Sequence, residues 1–456
     1  GAVLLGALQR VLLDETAREC VHAAIGILPL GDALDEACQR GFVFLERLLQ
    51  AIGVVPDLDV GRVDLAQDPD VAVFEPVEEP FGQGRYVVHG TFLRLSTVQY
   101  YWLDFEVSRI DPTRDARYRN IPMSPVPEIL AALRRMKLAG DNETPAIVPL
   151  TGGVSGDVFR VDLASGRICV KQALARLRVA AEWLAPVERI HSEVDWFRFA
   201  GGIEPGCVPR ILAEDKTAHL FAMNYFEPVQ YPGWKAQLFD GHIDSDFASA
   251  VGRAIASIHR ASANRQDIAA NFAHDEMFMA LRIEPYLLYT AKAHPDRAQR
   301  IEAMAQDLQR ARIALMHGDV SPKNILVGPD GPIFLDAETA CYGDPAFDLA
   351  FCMNHLLLKC IWAPAHASAY IRAFDALRHA YFSKADWEPA AGLDARTAGL
   401  LAAFLLARID GKSPVEYITD PRKKDFVRQA AREFLALPEL TLSAMAGAWH
   451  SKVSRL

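Results

Sequence analysis

Lysine is missing from the start of the chain, and the first one is Lys137. Over residues 1–125, 19 acidic residues outweigh 11 arginines, a net of −8 out of the −10 carried by all 456 residues. So uneven a charge in one quarter of the sequence predicts a separate N-terminal segment. Basic runs are also scarce. The one dense cluster, Arg422-Lys423-Lys424, is flanked by Asp420 and Asp425 and reads as a solvated helix end. Tracking phosphates needs unbalanced positive charge, so nucleic acid is not an expected partner. The seven cysteines are widely spaced and none forms a CxxC pair. This argues against a disulfide framework and a thiolate zinc site, and it fits a reducing, cytoplasmic setting. Long apolar runs are absent too. Residues 2–8 are too few to span a bilayer, and the charge-free stretch 360–371 has only 12 residues. A soluble protein that meets no membrane is expected.

What is present divides the chain in three. In residues 1–125, Val3, Leu4, Ala7, Leu8, Val11 and Leu12 share one helical face, and residues 33–52 predict a second helix. A Pro- and Asp-rich stretch, residues 56–80, precedes strand-like patterning over residues 86–107. An N-terminal α+β domain or extension follows from this, with no chemical motif in it; a lid, a dimerisation surface and a second binding domain are its open roles. Residues 126–227 begin with a connector and a helix at 129–138. They continue as short β-like runs at 147–150, 158–163, 167–171 and 220–226, interrupted by a helix at 186–199. Residues 228–456 read as mostly helical. A small strand-rich lobe followed by a large helical lobe is one way to build a cleft.

The chemistry is concentrated in His317-Gly318-Asp319-Val320-Ser321-Pro322-Lys323-Asn324, followed by the apolar run Ile333-Phe334-Leu335 and then Asp336-Ala337-Glu338. Phosphoryl transfer needs a positioned hydroxyl, a carboxylate to take its proton and oxygen ligands for magnesium. An Asp with an Asn five residues later places a base and a metal ligand on one loop. A second Asp at the end of the next strand completes the site, so Asp319, Asn324 and Asp336 are the candidate catalytic set. Gly343-Asp344-Pro345-Ala346-Phe347-Asp348 adds a further element of the same pattern. Upstream, Thr151-Gly152-Gly153-Val154-Ser155-Gly156 lies between two predicted strands, where glycines let backbone N–H groups approach phosphates.

From about residue 145 onward the sequence resembles the aminoglycoside phosphotransferase and choline kinase superfamily. The resemblance implies a bilobal, protein-kinase-like α+β fold and phosphorylation of a small molecule with ATP and Mg2+. It implies Asp319 as base, Asn324 and Asp336 as metal ligands, and Glu338 as support for a second metal or its waters. Lys171, closing the strand Cys169-Val170-Lys171, is implied to contact the nucleotide phosphates and pair with Glu193, or else with Glu188. Gly152, Gly153, Ser155 and Gly156 would cradle the nucleotide. The backbone from Met223 to Tyr225 would read the adenine, although Met223 is equally a core residue. Asp348 is implied to hold the catalytic loop. Local similarity to 5-methylthioribose kinases runs from Val170-Lys171-Gln172 through Arg189 to Glu193, and over residues 336–348. The loop HGDVSPKN departs from the Thr-Gly-Ser type loop of those kinases, which leaves the substrate open.

For the acceptor, Arg408, Asp410 and Lys412 are the candidate contacts. Two cations with one acid suit an anionic or polyhydroxylated compound, and solvated helix-end charges are the alternative. A sugar or methylthioribose-like metabolite is the leading expectation. An aminoglycoside-type antibiotic and a non-catalytic kinase-like binding module are the others. A nucleotide and a small-molecule acceptor are the expected partners, with a homodimer as a further expectation.

Overall fold

The computed structural model describes five strands between residues 63 and 110, and residues 126–150, 156–174 and 187–455. The chain forms two compact units, Gly1–Met123 and Ser124–Leu456. In the first, the strands β1 (Val63–Leu65), β2 (Val71–Phe74), β3 (Val77–Phe81), β4 (Gly84–Ser96) and β5 (Gln99–Ile110) make one antiparallel sheet. The long β4 pairs with β5 along one edge. On its other edge β3 takes residues 84–88 and β2 takes residues 91–93. The strand pattern over residues 86–107 is therefore a hairpin. The helices expected at residues 3–12 and 33–52 lie outside the described residues.

The second unit opens with α1 (Val126–Arg135), whose Ile129, Ala132 and Leu133 sit at i, i+3 and i+4 and are all buried. That stripe packs on one face of an antiparallel five-stranded sheet. The sheet comprises β6 (Ala146–Leu150), β7 (Gly156–Leu163), β8 (Gly166–Ala173), β9 (Ile211–Asp215) and β10 (Leu220–Asn224), in the order β6-β7-β8-β10-β9. Alternation sorts the side chains. Phe159, Val161, Val170, Leu220 and Ala222 join α1, whereas Cys169, Phe221 and Met223 face the opposite way. There they meet Ile190, Val194 and Phe197 of α2 (Arg189–Ile203).

The rest is helical, with α3 (Ser245–Ser262), α4 (Ala298–Arg310), α5 (Ala346–Trp362), α6 (Ala367–Phe382), α7 (Ala390–Asp410), α8 (Pro421–Leu435) and α9 (Leu442–Val453). Local chemistry sets several boundaries. Asp244 caps α3 by accepting from the N–H groups of Asp246 and Phe247. Asp420 caps α8 ahead of Pro421, a residue whose missing N–H costs nothing in a first turn. Among the described residues, only α7 is long and apolar enough to cross a membrane, and most of its apolar window is buried in this unit, as in a core helix. Helices α3 and α6 touch through backbone. A Cβ on Gly252 would clash with the Leu377 carbonyl oxygen. Gly252→Ala is expected to cost roughly 1–3 kcal/mol or more, read as a lowered thermal midpoint.

Two short ladders pin the segment between α4 and α5. The strand β11 (Ala314–Met316) pairs with β14 (Cys341–Gly343), and β12 (Ile325–Gly328) pairs with β13 (Gly331–Phe334). Residues 317–324 and 335–340 are thereby two loops with every end held by a strand.

Candidate active site

The loop after β11 is shaped by hydrogen bonds to buried groups. Asp348, in the first turn of α5 and fully buried, accepts from the N–H of His317 at 2.7 Å and of Gly318 at 2.8 Å. The His259 ring contacts the same carboxylate at 3.2 Å and the Tyr381 hydroxyl at 2.9 Å. His317 bonds the Leu335 carbonyl through Nε2, and its Nδ1 accepts from the Asp319 N–H. Burial lowers its pKa, which keeps the imidazole neutral for this dual role. Gly318 is obligatory. Its φ is +78°, and a Cβ would come within 2.5 Å of the Thr339 carbonyl oxygen on the neighbouring loop.

This scaffold presents Asp319. Its Oδ2 lies 2.8 Å from Asn324 Nδ2, 3.0 Å from Arg282 and 3.3 Å from Lys323. The Asn324 amide nitrogen also donates to the Asp319 carbonyl, so its own oxygen is the atom left for a cation. Arg282 was not legible in the sequence. It comes from a π-helical segment, Met279–Leu288, that contains Pro285, and it also donates to the Gly318 carbonyl. A proline without an N–H favours such a widened turn.

Asp336 has φ +65°, a left-handed backbone rare for any residue but glycine. Such outliers concentrate at functional sites. Its carboxylate lies 2.6 Å from Lys171, and Lys171 lies 2.7 Å from Glu193. The expected strand lysine, helix glutamate and loop aspartate thus meet, 165 residues apart at the widest. Burial works against the Asp336 charge, yet Lys171 and Lys323 hold its carboxyl well below the ordinary range. Burial also works against the Lys171 charge, but Asp336, Glu193 and Glu338 outweigh it and raise that pKa. For Glu193, burial prevails and pushes the carboxyl up.

Other expected positions fall as follows. Glu338 is buried and its Oε2 accepts from Arg189 Nε at 3.0 Å, a contact the sequence did not announce. Gly156 opens β7, where a Cβ would approach the Gln172 carbonyl at 2.8 Å and the Lys171 side chain at 3.4 Å. Gly152, Gly153 and Ser155 lie outside the described residues. Met223 is a buried residue of β10, and Tyr225 follows that strand half-buried. Hard oxygen donors from Asn324 and Asp336, beside a lysine, match what a magnesium–nucleotide complex requires.

Residues 146–393 match the phosphotransferase enzyme family, more than half of the chain. The chain belongs to that family. A curated relative, methylthioribose kinase 1 of Oryza sativa subsp. japonica, is 24% identical over 264 residues. The match covers 51% of this chain and 60% of the relative, so the chain spans about three-fifths of the relative's length. Among solved structures, a choline/ethanolamine kinase family protein from Mesorhizobium loti is similar, at 17% identity and a TM-score of 0.43. The match covers 72% of this chain and all of that one. Amicoumacin kinase hAmiN, in complex with AMP-PNP, Ca2+ and Ami, is 15% identical with a TM-score of 0.43, covering 68% of this chain and 96% of that one.

The expected acceptor residues of this family member do not form one set. Asp410 is committed to structure. Arg428 of α8 clamps both of its oxygens, at 2.6 and 2.8 Å, and His294 adds a contact at 3.0 Å. Three of its roughly four acceptor positions are thereby taken by structural partners. Lys412 lies 3.7 Å from Glu284. Arg408 approaches the ring of Tyr286, with Nη1 3.5 Å from its hydroxyl.

Proposed function

We propose that the protein is an ATP- and magnesium-dependent phosphotransferase that acts on a hydroxyl group of a small molecule, of sugar or methylthioribose-like size. The observation that carries this reading is the convergence of Lys171, Asp336, Asn324 and Asp319 from three separate parts of the chain. Asp319 takes the proton of the acceptor hydroxyl as its oxygen bonds to the terminal phosphorus of ATP and the bond to ADP breaks. Asn324 and Asp336 would hold magnesium, which screens the phosphate charge when bound. Lys171, set by Glu193, orients the phosphates, and Gly156 gives their loop room beside Lys171. The hinge from Met223 to Tyr225 would present backbone groups to the adenine. The methylthioribose kinases provide a named substrate for a first trial.

The test is ATP consumption by the purified chain with Mg2+ over 5-methylthioribose, pentoses, amino alcohols and aminoglycosides. Acceptor-dependent turnover supports the reading. Neither turnover nor Mg2+-dependent ATP binding sinks it in favour of a non-catalytic module. Lys171→Met, which removes one charged phosphate contact, is expected to lower kcat/KM for ATP roughly 10²-fold.

A further inference from the structure

Beyond Asp319, in the direction of the helical part, the structure gathers positive charge that Glu416 offsets only in part. Lys359 is central. It is 1% exposed, and among the described residues its ammonium has no hydrogen-bond or ion-pair partner. It rests between two rings instead, 3.9 Å from the centroid of Phe239 and 4.6 Å from that of Tyr417. Arg408 has no carboxylate partner among the described residues, and its Nε is buried without a hydrogen bond. The Tyr417 hydroxyl is likewise buried and unpartnered. The nearby carboxylate of Glu416 is already committed to Lys235.

These groups connect to the reacting end of the site. Lys323 contacts Asp319, Arg408 leans on Tyr286, Tyr286 packs on Phe351, and Phe351 packs on His355 one turn before Lys359. Burial drives the His355 pKa well below the usual imidazole range, and repulsion from Arg408, Lys359, Lys323 and Lys235 adds to it. Burial likewise pushes the Lys359 ammonium down to about 7, with Lys235 and Arg408 adding to the shift and Glu416 opposing it. A buried ammonium without an ion partner either gives up its proton or gains from a ligand that supplies the missing charge.

Resting on the kinase reading above, we propose that the acceptor carries an anionic group, a carboxylate or a phosphate, which Lys359 and Arg408 receive while its hydroxyl faces Asp319. Tyr417 donates a third hydrogen bond to that group. The helix sets the scale. Asp348, under the catalytic loop, and Lys359 lie on α5 roughly 16 Å apart along its axis. Long side chains lean back toward a helix N-terminus. The lean shortens that span, so hydroxyl and anion fall within the length of one small acceptor. Amine acceptors are disfavoured by the same charges.

The experiment compares matched acceptors on the full chain with MgATP: ribose 5-phosphate against ribose, and glucuronate against glucose, with 5-methylthioribose as a neutral reference. The expected result is a kcat/KM about tenfold or more higher for the anionic member of at least one pair, and the pair that responds separates phosphate from carboxylate. Lys359→Met keeps the volume and removes the charge. It is expected to raise KM for the anionic acceptor about tenfold while changing KM for its neutral partner less than about twofold. Preference for neutral or amine acceptors, or an unchanged KM in the variant, overturns the inference and leaves the kinase reading standing. Where ATP binds but no acceptor reacts, ribose 5-phosphate and glucuronate are titrated by calorimetry into protein loaded with Mg2+ and a non-hydrolysable ATP analogue. Binding about tenfold tighter than to Lys359→Met supports the proposal, and equal or absent binding overturns it. Absence of Mg2+-dependent nucleotide binding falls on the kinase reading itself.

Discussion

Asp319→Asn is expected to lower kcat roughly 10²–10⁴-fold with the fold intact. The Asp319 Oδ2 is the oxygen that meets Asn324, Arg282 and Lys323. Among the described residues its Oδ1 carries no hydrogen bond, so that oxygen is the one able to accept the acceptor proton. An amide of the same shape keeps an oxygen for the cations but cannot take up a proton. The loss therefore appears in kcat for the preferred acceptor, with nucleotide binding retained. A variant within about tenfold of wild type would remove Asp319 from the base role, since general-base contributions are larger than that. The thermal midpoint is the control, because a collapsed loop would lower both readouts together.

Asp348→Ala is expected to lose about 3–5 kcal/mol, the largest structural effect of any substitution in the site. One fully buried carboxylate satisfies two backbone N–H groups and the His259 ring. Alanine leaves those donors buried and unpaired, and each such donor costs about 1–3 kcal/mol. At roughly 2–4 °C per kcal/mol, the midpoint falls by on the order of 10 °C. Asp348→Asn is the milder comparison. It retains one acceptor oxygen but sets an NH₂ against a backbone N–H, so an intermediate midpoint is expected. Equal midpoints for wild type and Asp348→Ala would mean that water replaces the carboxylate and that the loop is held by its flanking ladders alone.

The parts of this protein that were legible in its sequence were those in which spacing encodes geometry. Asp319 and Asn324 are five residues apart because one turn must carry both. Asp336 follows an apolar strand because a strand delivers it. The strands over residues 86–107, the helix expected at 129–138 and found at Val126–Arg135, and the strand expected to close at Lys171 and found to run on to Ala173 announced themselves through alternation and periodicity. Strand β9, Ile-Leu-Ala-Glu-Asp at the sheet edge, did not. An edge strand with mixed exposure has no clean alternation to read. Strands β1 to β3 lay in a stretch rich in proline and aspartate, which reads as loop unless the pairing partner is known. Arg282 was invisible for a different reason, and so was the contact of Arg189, a residue the resemblance had named. Each is an arginine on a helical segment, and only tertiary folding brings it to Asp319 or Glu338. Asp410 was read as a binding residue because an acid between two cations looks like a binding motif. Its true partner, Arg428, arrives from the next helix.

The contact between Lys171 and Asp336 has a thermodynamic consequence for the order in which ligands arrive. Each group answers the other's charge at 2.6 Å. If the site takes nucleotide and metal as proposed, a phosphate that draws Lys171 away leaves Asp336 facing Lys323, and a cation on Asp336 leaves Lys171 paired with Glu193 at 2.7 Å. Each group keeps a second partner when the first is taken, so neither order of arrival leaves an isolated buried charge.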